Sequence, residues 1–167
     1  MGPFRAMVAD YMEKDPPCLL KWFPSFHSWD TAEFRNFIRK CTKERQDWKP
    51  GPNQISLTKY VLLDDHDGIL GHAVLRFPLD DKTSREGGNV AFSSPPSKRG
   101  GMNEVYTLNR MLFEAVRAGL ARILITSFEE DEVTRRAIEM NRGELDDVIP
   151  SLSEPSKNLC RYWIRFR

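Results

Sequence analysis

The chain has 167 residues, 40% of them hydrophobic and 29% charged, enough for one ordinary core and too few for two. Its 25 Lys and Arg stand against 24 Asp and Glu, so no overall field draws it to nucleic acid or to a membrane surface, and any charged partner is met locally. The apolar runs are short and broken by charge, and residues 1–15 lack the apolar stretch of a signal peptide, so a soluble, cytoplasmic, single-domain protein spanning 1–167 is expected. The three cysteines, Cys18, Cys41 and Cys160, have no metal-ligand spacing and are read as free buried thiols.

The segment from Met1 to Lys49 reads as helical. Within it Asp30 precedes Glu33 by three residues, a capping-box-like start, and Phe34, Phe37, Ile38 and Cys41 recur at helical spacing. Trp22-Phe-Pro-Ser-Phe26-His-Ser-Trp29 forms an aromatic patch, which is either a lid packed on the core or, where exposed, a contact for an apolar acceptor or a protein partner. Lys49-Pro-Gly-Pro-Asn53 breaks the helical region. Ser56 to Leu63 and Ile69 to Phe77 are then two apolar, β-branched runs around Asp64-Asp-His-Asp-Gly68, an antiparallel hairpin.

A polar, mobile loop is expected from Leu79 to Gly88, followed by a short strand from Asn89 to Ser94. Val105, Leu108, Met111, Leu112, Ala115 and Val116 trace one face of a helix that stops at Gly119. Ile123 to Thr126 is a compact buried strand, and the next helix starts near Asp131, turns Val133, Ala137, Ile138 and Met140 inward, and ends at Asn141-Arg-Gly143. Leu145 to Ile149 makes the next strand. In the closing run Cys160, Tyr162, Ile164 and Phe166 alternate with Arg161, Trp163 and Arg165, the period of a strand with two unlike faces. A mixed sheet with helices on its faces accommodates this order.

From Leu57 onward, about two-thirds of the chain, the order and punctuation resemble the GNAT superfamily of acyl-coenzyme A-dependent N-acetyltransferases, in particular a bacterial branch of predicted acetyltransferases. Gly68-Ile-Leu-Gly71-His-Ala-Val-Leu-Arg76 is similar to the family's third strand. Glu86-Gly-Gly-Asn-Val-Ala-Phe-Ser-Ser-Pro-Pro-Ser-Lys-Arg99 is similar to its fourth strand and the start of its phosphate loop. Thr134-Arg-Arg-Ala-Ile-Glu-Met-Asn-Arg-Gly143 resembles the later helix, and Arg161-Tyr-Trp-Ile164 the closing strand. The resemblance implies an α+β fold, a mixed and mostly antiparallel sheet with helices on both faces. Only Met1-Gly-Pro-Phe-Arg-Ala6 precedes the first helix, and Pro3 cannot donate to a ladder, so the family's first strand is missing or reduced. The sheet then begins with Gln54 to Leu63 as an edge strand, whose free backbone along Ile55, Leu57, Tyr60 and Val61 is either covered by residues 22–29 or paired in a homodimer.

The resemblance also implies a donor site for acetyl-coenzyme A. Its pantetheine arm is expected on the backbone of Phe92, Ser93 and Ser94, and its pyrophosphate on backbone N–H groups at the next helix start. The family signature of that loop, Gln/Arg-x-x-Gly-x-Gly/Ala, falls ungapped on Arg99, Gly100, Gly101, Met102, Asn103 and Glu104, which puts Met102 and Glu104 where small residues are expected. A register slipped by one starts at Lys98 and restores the first Gly at Gly101. The bland reading of the same residues has Asn103 as an N-cap and Glu104 as a first-turn acid that satisfy the helix without a ligand. Asp131 stands where relatives often carry Asn to contact the donor, beside Thr134 of the following helix, and the usual Tyr acid falls at Ile138.

His72 and Glu129 are the candidate bases for freeing an amine, although a strand His is commonly a packed residue and Glu129 lies in the acidic run Glu129-Glu-Asp-Glu132. Two functions follow. One is transfer of an acetyl group from acetyl-coenzyme A to a primary amine of a small molecule or protein by direct attack. The other is a catalytically inactive scaffold that senses acyl-coenzyme A or works through a protein interface. No metal is expected in either.

Overall fold

The computed structural model describes residues 2–22, 32, 33, 36, 39, 56–66 and 68–166. The aromatic patch beyond Trp22, the helical spacing of Phe34, Phe37, Ile38 and Cys41, and Gln54 and Ile55 lie outside the described residues.

The chain opens with α1 (Gly2–Lys14) and α2 (Pro16–Trp22). Pro16 restricts Asp15 away from helical angles and suits the first helical position itself, so the helical region expected here is divided at Asp15. The Asp15 carboxylate then accepts the Cys18 amide at 3.2 Å, capping α2. No strand precedes these helices among the described residues, as expected.

A first antiparallel sheet holds β1 (Ser56–Leu63), β2 (Ile69–Phe77) and β3 (Val90–Ser93) in the order β1-β2-β3. The register runs Ser56↔Phe77 to Leu62↔Gly71 and His72↔Ser93 to Leu75↔Val90. Asp64 sets the hairpin turn, accepting the amides of His66 at 2.9 Å and Gly68 at 2.7 Å. The stretch expected as a mobile loop instead contains a short helix, α3 (Asp81–Arg85). Asp80 and Thr83 exchange capping bonds there, with Thr83 N donating to Asp80 Oδ1 at 2.7 Å and Asp80 N to Thr83 Oγ1 at 3.0 Å.

A 3-10 turn (Pro96–Lys98) leads to α4 (Asn103–Arg117), then β4 (Arg122–Phe128), α5 (Glu132–Met140), β5 (Glu144–Pro150) and β6 (Asn158–Arg165). The last three strands form a second antiparallel sheet in the order β4-β6-β5. One core joins both sheets to α4 and α5, around Leu75, Val90, Phe92, Leu108, Met111, Ile123, Ile125, Ile138, Cys160, Tyr162 and Ile164. Val116, Val133 and Met140, expected to face inward, are each 39–50% exposed, because the covered stripes of α4 and α5 are narrower than their apolar patterns. Thr107 of α4 lies against Gly71, and Tyr11 of α1 meets the next residue, His72, with rings 5.7 Å apart. Successive strand residues point to opposite faces, so helices cover both faces of β2.

The two sheets do not share a ladder. They meet at a seam where Asn89 N donates to Leu124 O at 2.7 Å and Leu124 N donates to Asn89 Oδ1 at 2.8 Å. Asn89 Nδ2 donates to Arg76 O at 3.0 Å, so this buried amide serves both sheets. Beside it Glu86 accepts the Ser151 hydroxyl at 2.9 Å and the Leu152 amide at 2.8 Å, tying the β5–β6 loop to the entry of β3. No helix among the described residues is long and apolar enough to cross a membrane.

Candidate active site

The seam ends at Asn89. Beyond it β3 pairs with β2 on one side and, among the described residues, has no strand partner on the other. That places the backbone of Phe92, Ser93 and Ser94 at the break between the sheets, immediately before the loop to α4. Phe92 turns its ring into the core, so only main chain is left to face the break.

The loop from Lys98 to Met102 is built for close approach. Gly100 has φ +83°, a left-handed conformation that favours glycine, and a side chain at Gly100 or at Gly101 would meet nothing within 4 Å. Contrary to the expected cap, α4 begins at Asn103 itself. Met102 occupies the cap position with no side-chain bond, and Asn103 Nδ2 reaches back to Lys98 O at 3.0 Å. A side chain that ties the loop cannot also cap the helix. The cap residue of the 15-residue α4 therefore offers no side-chain acceptor to the first amides, where the dipole is positive. Met102 is 41% exposed and leans outward rather than filling the loop.

Glu104 in the first turn does not face solvent. It is 3% exposed, and neither carboxyl oxygen has a partner in hydrogen-bond geometry. Burial raises its pKa above the usual carboxylate value; its own backbone amide, Ser94 and Arg99 pull it down and Asp131 pushes it up. A group whose folded pKa lies above its unfolded pKa favours folding at low pH, and that contribution is lost as pH rises through the folded value. Glu104→Gln is therefore expected to stabilise the protein at pH 7 to 8, with the gain shrinking toward pH 4. Urea midpoints across that range test it; a gain independent of pH would mean that the carboxyl does not titrate out of step with the unfolded chain.

The N-terminal helix closes the other side. Tyr11 OH donates to Ser94 O at 2.9 Å and lies 3.3 Å from Ser93 Oγ, and burial pushes its pKa up to about 12. Arg99 Nε donates to the same Ser94 carbonyl at 3.1 Å, while its Nη1 meets Asp15 Oδ2 at 2.6 Å and its guanidinium sits 5.5 Å from the Tyr11 ring centre. Burial works against the Arg99 charge, but Asp15 and Tyr11 more than offset it and keep the pKa above the usual guanidinium value. Asp10 Oδ2 accepts both the amide and the hydroxyl of Ser97 at 2.8 Å. Lys98 Nζ stands 3.7 Å from Asp64.

Ser93, Ser94, Arg99, Glu104 and His72 are thus brought together around Tyr11. Phe92 and Lys98 to Asn103 lie along the same stretch, and the charge of Asp131 reaches Glu104. Asp131 and Thr134 are engaged with each other as the cap of α5, Thr134 N donating at 3.0 Å and Oγ1 at 2.7 Å. Glu129 is exposed at the end of β4, where its Oε2 accepts Asn158 Nδ2 at 2.9 Å. His72 is 2% exposed, and burial first, then Arg99 and Lys59, lowers its pKa to about 3. An imidazole so hard to protonate is a poor acceptor for an ammonium proton. Sequence reasoning missed Tyr11, Asp10 and Asp15. The only signal for them was polar residues on the buried side of α1, and nothing local shows that this side meets residues 93–99. Among the described residues no three His, Cys, Asp or Glu side chains converge as metal ligands.

No family model and no curated protein matches the sequence. Solved structures do. The ribosomal-protein-S5-alanine acetyltransferase of Vibrio fischeri is 12% identical and superimposes over 95% of this chain and 86% of that one, with TM-score 0.60. Mycobacterium smegmatis RimJ, solved with CoA-disulfide, is 13% identical over 98% and 76%, TM-score 0.60, and a GnaT-family protein of Bordetella pertussis is 11% identical over 98% and 90%, TM-score 0.58. The chain has the GNAT N-acetyltransferase fold. Overlap with yncA of Salmonella typhimurium is smaller, 58% of that protein at TM-score 0.49.

Proposed function

We propose that this chain is an N-acyltransferase that moves an acetyl group from acetyl-coenzyme A to a primary amine. The observation that carries the reading is the start of α4, a helix of 15 residues with no side-chain cap, preceded by two glycines with open space around them and reached directly from the unpaired edge of β3. Such a start binds phosphate oxygens through backbone N–H groups. The residues fit a pyrophosphate at Gly100 to Glu104, with Lys98 and Arg99 supplying charge and the main chain of Phe92, Ser93 and Ser94 flanking the pantetheine arm.

When bound, the donor supplies an activated acetyl carbon. The chain's own work is to hold it and to admit an amine in its neutral form. Glu129, an exposed carboxylate at the end of β4, is the group we assign to accept the amine proton, directly or through water. His72 has a positioning role, packed edge-on against Tyr11 and so against the carbonyl that Tyr11 holds. The acceptor is a primary amine on a small molecule or on a protein. The Vibrio fischeri protein, named for an alanine of a ribosomal protein, is an instance of the second kind.

The second reading, an inactive scaffold, is favoured by one observation: Lys98 and Arg99 both already face carboxylates. Calorimetry with coenzyme A and with acetyl-coenzyme A separates the transferase from a scaffold that works through a protein interface alone. Micromolar binding that weakens roughly tenfold in Arg99→Ala is expected for the transferase, as for loss of one charge-assisted contact. No heat from either compound at millimolar concentration would leave the scaffold.

A further inference from the structure

Among the described residues, α1 and Asp15 just after it send long-range hydrogen bonds to residues 93–99. Asp10 takes the backbone amide and hydroxyl of Ser97, Asp15 takes the Arg99 guanidinium, and Tyr11 takes the Ser94 carbonyl. Two of these partners are the kind that bind phosphate, a backbone N–H with a hydroxyl and an arginine, and both face a carboxylate of this chain instead.

Among the described residues the helix pair is held to the sheet by a cluster apart from the main core, Met7, Tyr11 and Leu19 with Ile69 of β2, against which Phe4, Val8 and Cys18 pack. The helix pair keeps its own contacts whether or not the polar ones to residues 94–99 are made, since Asp15 also caps α2.

We propose that α1 is a displaceable latch on the donor site, in which Asp10 and Asp15 stand in for phosphate groups on Ser97 and Arg99 until an acyl-coenzyme A pyrophosphate displaces them. This rests on the acyl-coenzyme A reading given above. Magnitudes allow the exchange. The Arg99 and Asp15 side chains are 34% and 26% exposed, so solvent screens their pair and its hold is modest. A pyrophosphate brings more charge than one carboxylate and gains the first amides of α4 as well. Tyr11 gives up no charge when α1 shifts, and its departure leaves the Ser94 carbonyl, still bonded by Arg99 Nε, one lone pair for an amide N–H of the pantetheine arm.

The test uses the full chain, with coenzyme A and inorganic pyrophosphate as probes. Asp10→Asn with Asp15→Asn keeps side-chain size, and Asn caps α2 as well as Asp does, so the fold is spared. Calorimetry is expected to show both probes binding roughly tenfold more tightly to the double variant, the scale of one exposed charge pair removed on each side of the competition. Hydrogen exchange is read alongside. In the parent, coenzyme A is expected to speed exchange of the α1 amides at residues 5–14. In the double variant those amides exchange quickly before any ligand is added. Equal or weaker binding by the double variant, with parent α1 amides unchanged or slowed, overturns the latch and leaves donor binding standing. No binding of coenzyme A to parent or variant overturns donor binding itself and the latch with it. Tyr11→Phe, which retains the ring in its cluster, is expected to loosen α1 in the same direction without altering charge.

Discussion

Gly88→Ala is expected to destabilise the protein by about 3 to 5 kcal/mol, the range reached when backbone strain and a backbone collision combine. Gly88 has φ +63°, which a non-glycine residue adopts at a cost of about 1 kcal/mol. The larger part comes from space. A Cβ there would stand 2.3 Å from the Leu124 carbonyl oxygen and 2.8 Å from its carbon, and neither belongs to a side chain that can rotate away. Relief requires moving β4 away from residue 88, which lengthens the Asn89–Leu124 bonds next door. Gly100→Ala is the control, since it shares the positive φ and meets nothing within 4 Å, and is expected to cost only about 1 kcal/mol. The comparison of urea midpoints decides it. Equal losses in the two variants would mean that strain alone acts and that the sheets tolerate separation at Leu124.

Stability is also expected to fall as pH drops from about 6.5, at up to about 1.4 kcal/mol per pH unit from His72 alone. The sign follows from its pKa, about 3 in the folded protein against an ordinary 6.5. Between those values the unfolded chain binds a proton that the folded chain refuses, so acid favours unfolding. The contribution is whole above pH 6.5 and is lost as pH falls toward 3. Burial is the main cause, with the Arg99 and Lys59 charges adding to it. His72→Gln keeps a polar side chain that does not titrate, and its stability should decline less steeply between pH 6.5 and 4.5 whatever its absolute value. Parallel slopes for parent and variant would show that His72 takes up its proton without unfolding. Glu104 acts in the opposite sense, so Glu104→Gln should make the acid loss steeper than in the parent.

The elements legible in the sequence were those whose signals are local. The hairpin was marked by the Asp64 to Gly68 turn, the last strand by the alternation of Cys160, Tyr162 and Ile164, and α4 by its apolar stripe, and the structure has each of them. Asp80 and Thr83 carried a capping signal that the polarity of residues 79–88 obscured, so α3 was missed. The loop at Arg99 to Glu104 was found by resemblance, but its chemistry depends on distant groups. Whether Glu104 repels an anion is settled by its burial, and whether Arg99 is available is settled by Asp15, 84 residues earlier. Asn103 was misassigned because a helix-start Asn caps by default, and only the fold shows Lys98 O within its reach.

The seam at Asn89 has a mechanical side. Sheets bonded to each other at residues 87–89 and sharing no ladder beyond them form a lever. Ser94 lies five residues further along an extended chain, about 17 Å at about 3.3 Å per residue. Rotation of about 5° at the seam thus carries Ser94 through about 1.4 Å, half the length of a hydrogen bond, while the bonds at Asn89 scarcely change. Small adjustments in the packing around residues 86–89 and 151–153 are therefore magnified where the chain turns toward α4, and the width of the break is governed from its closed end.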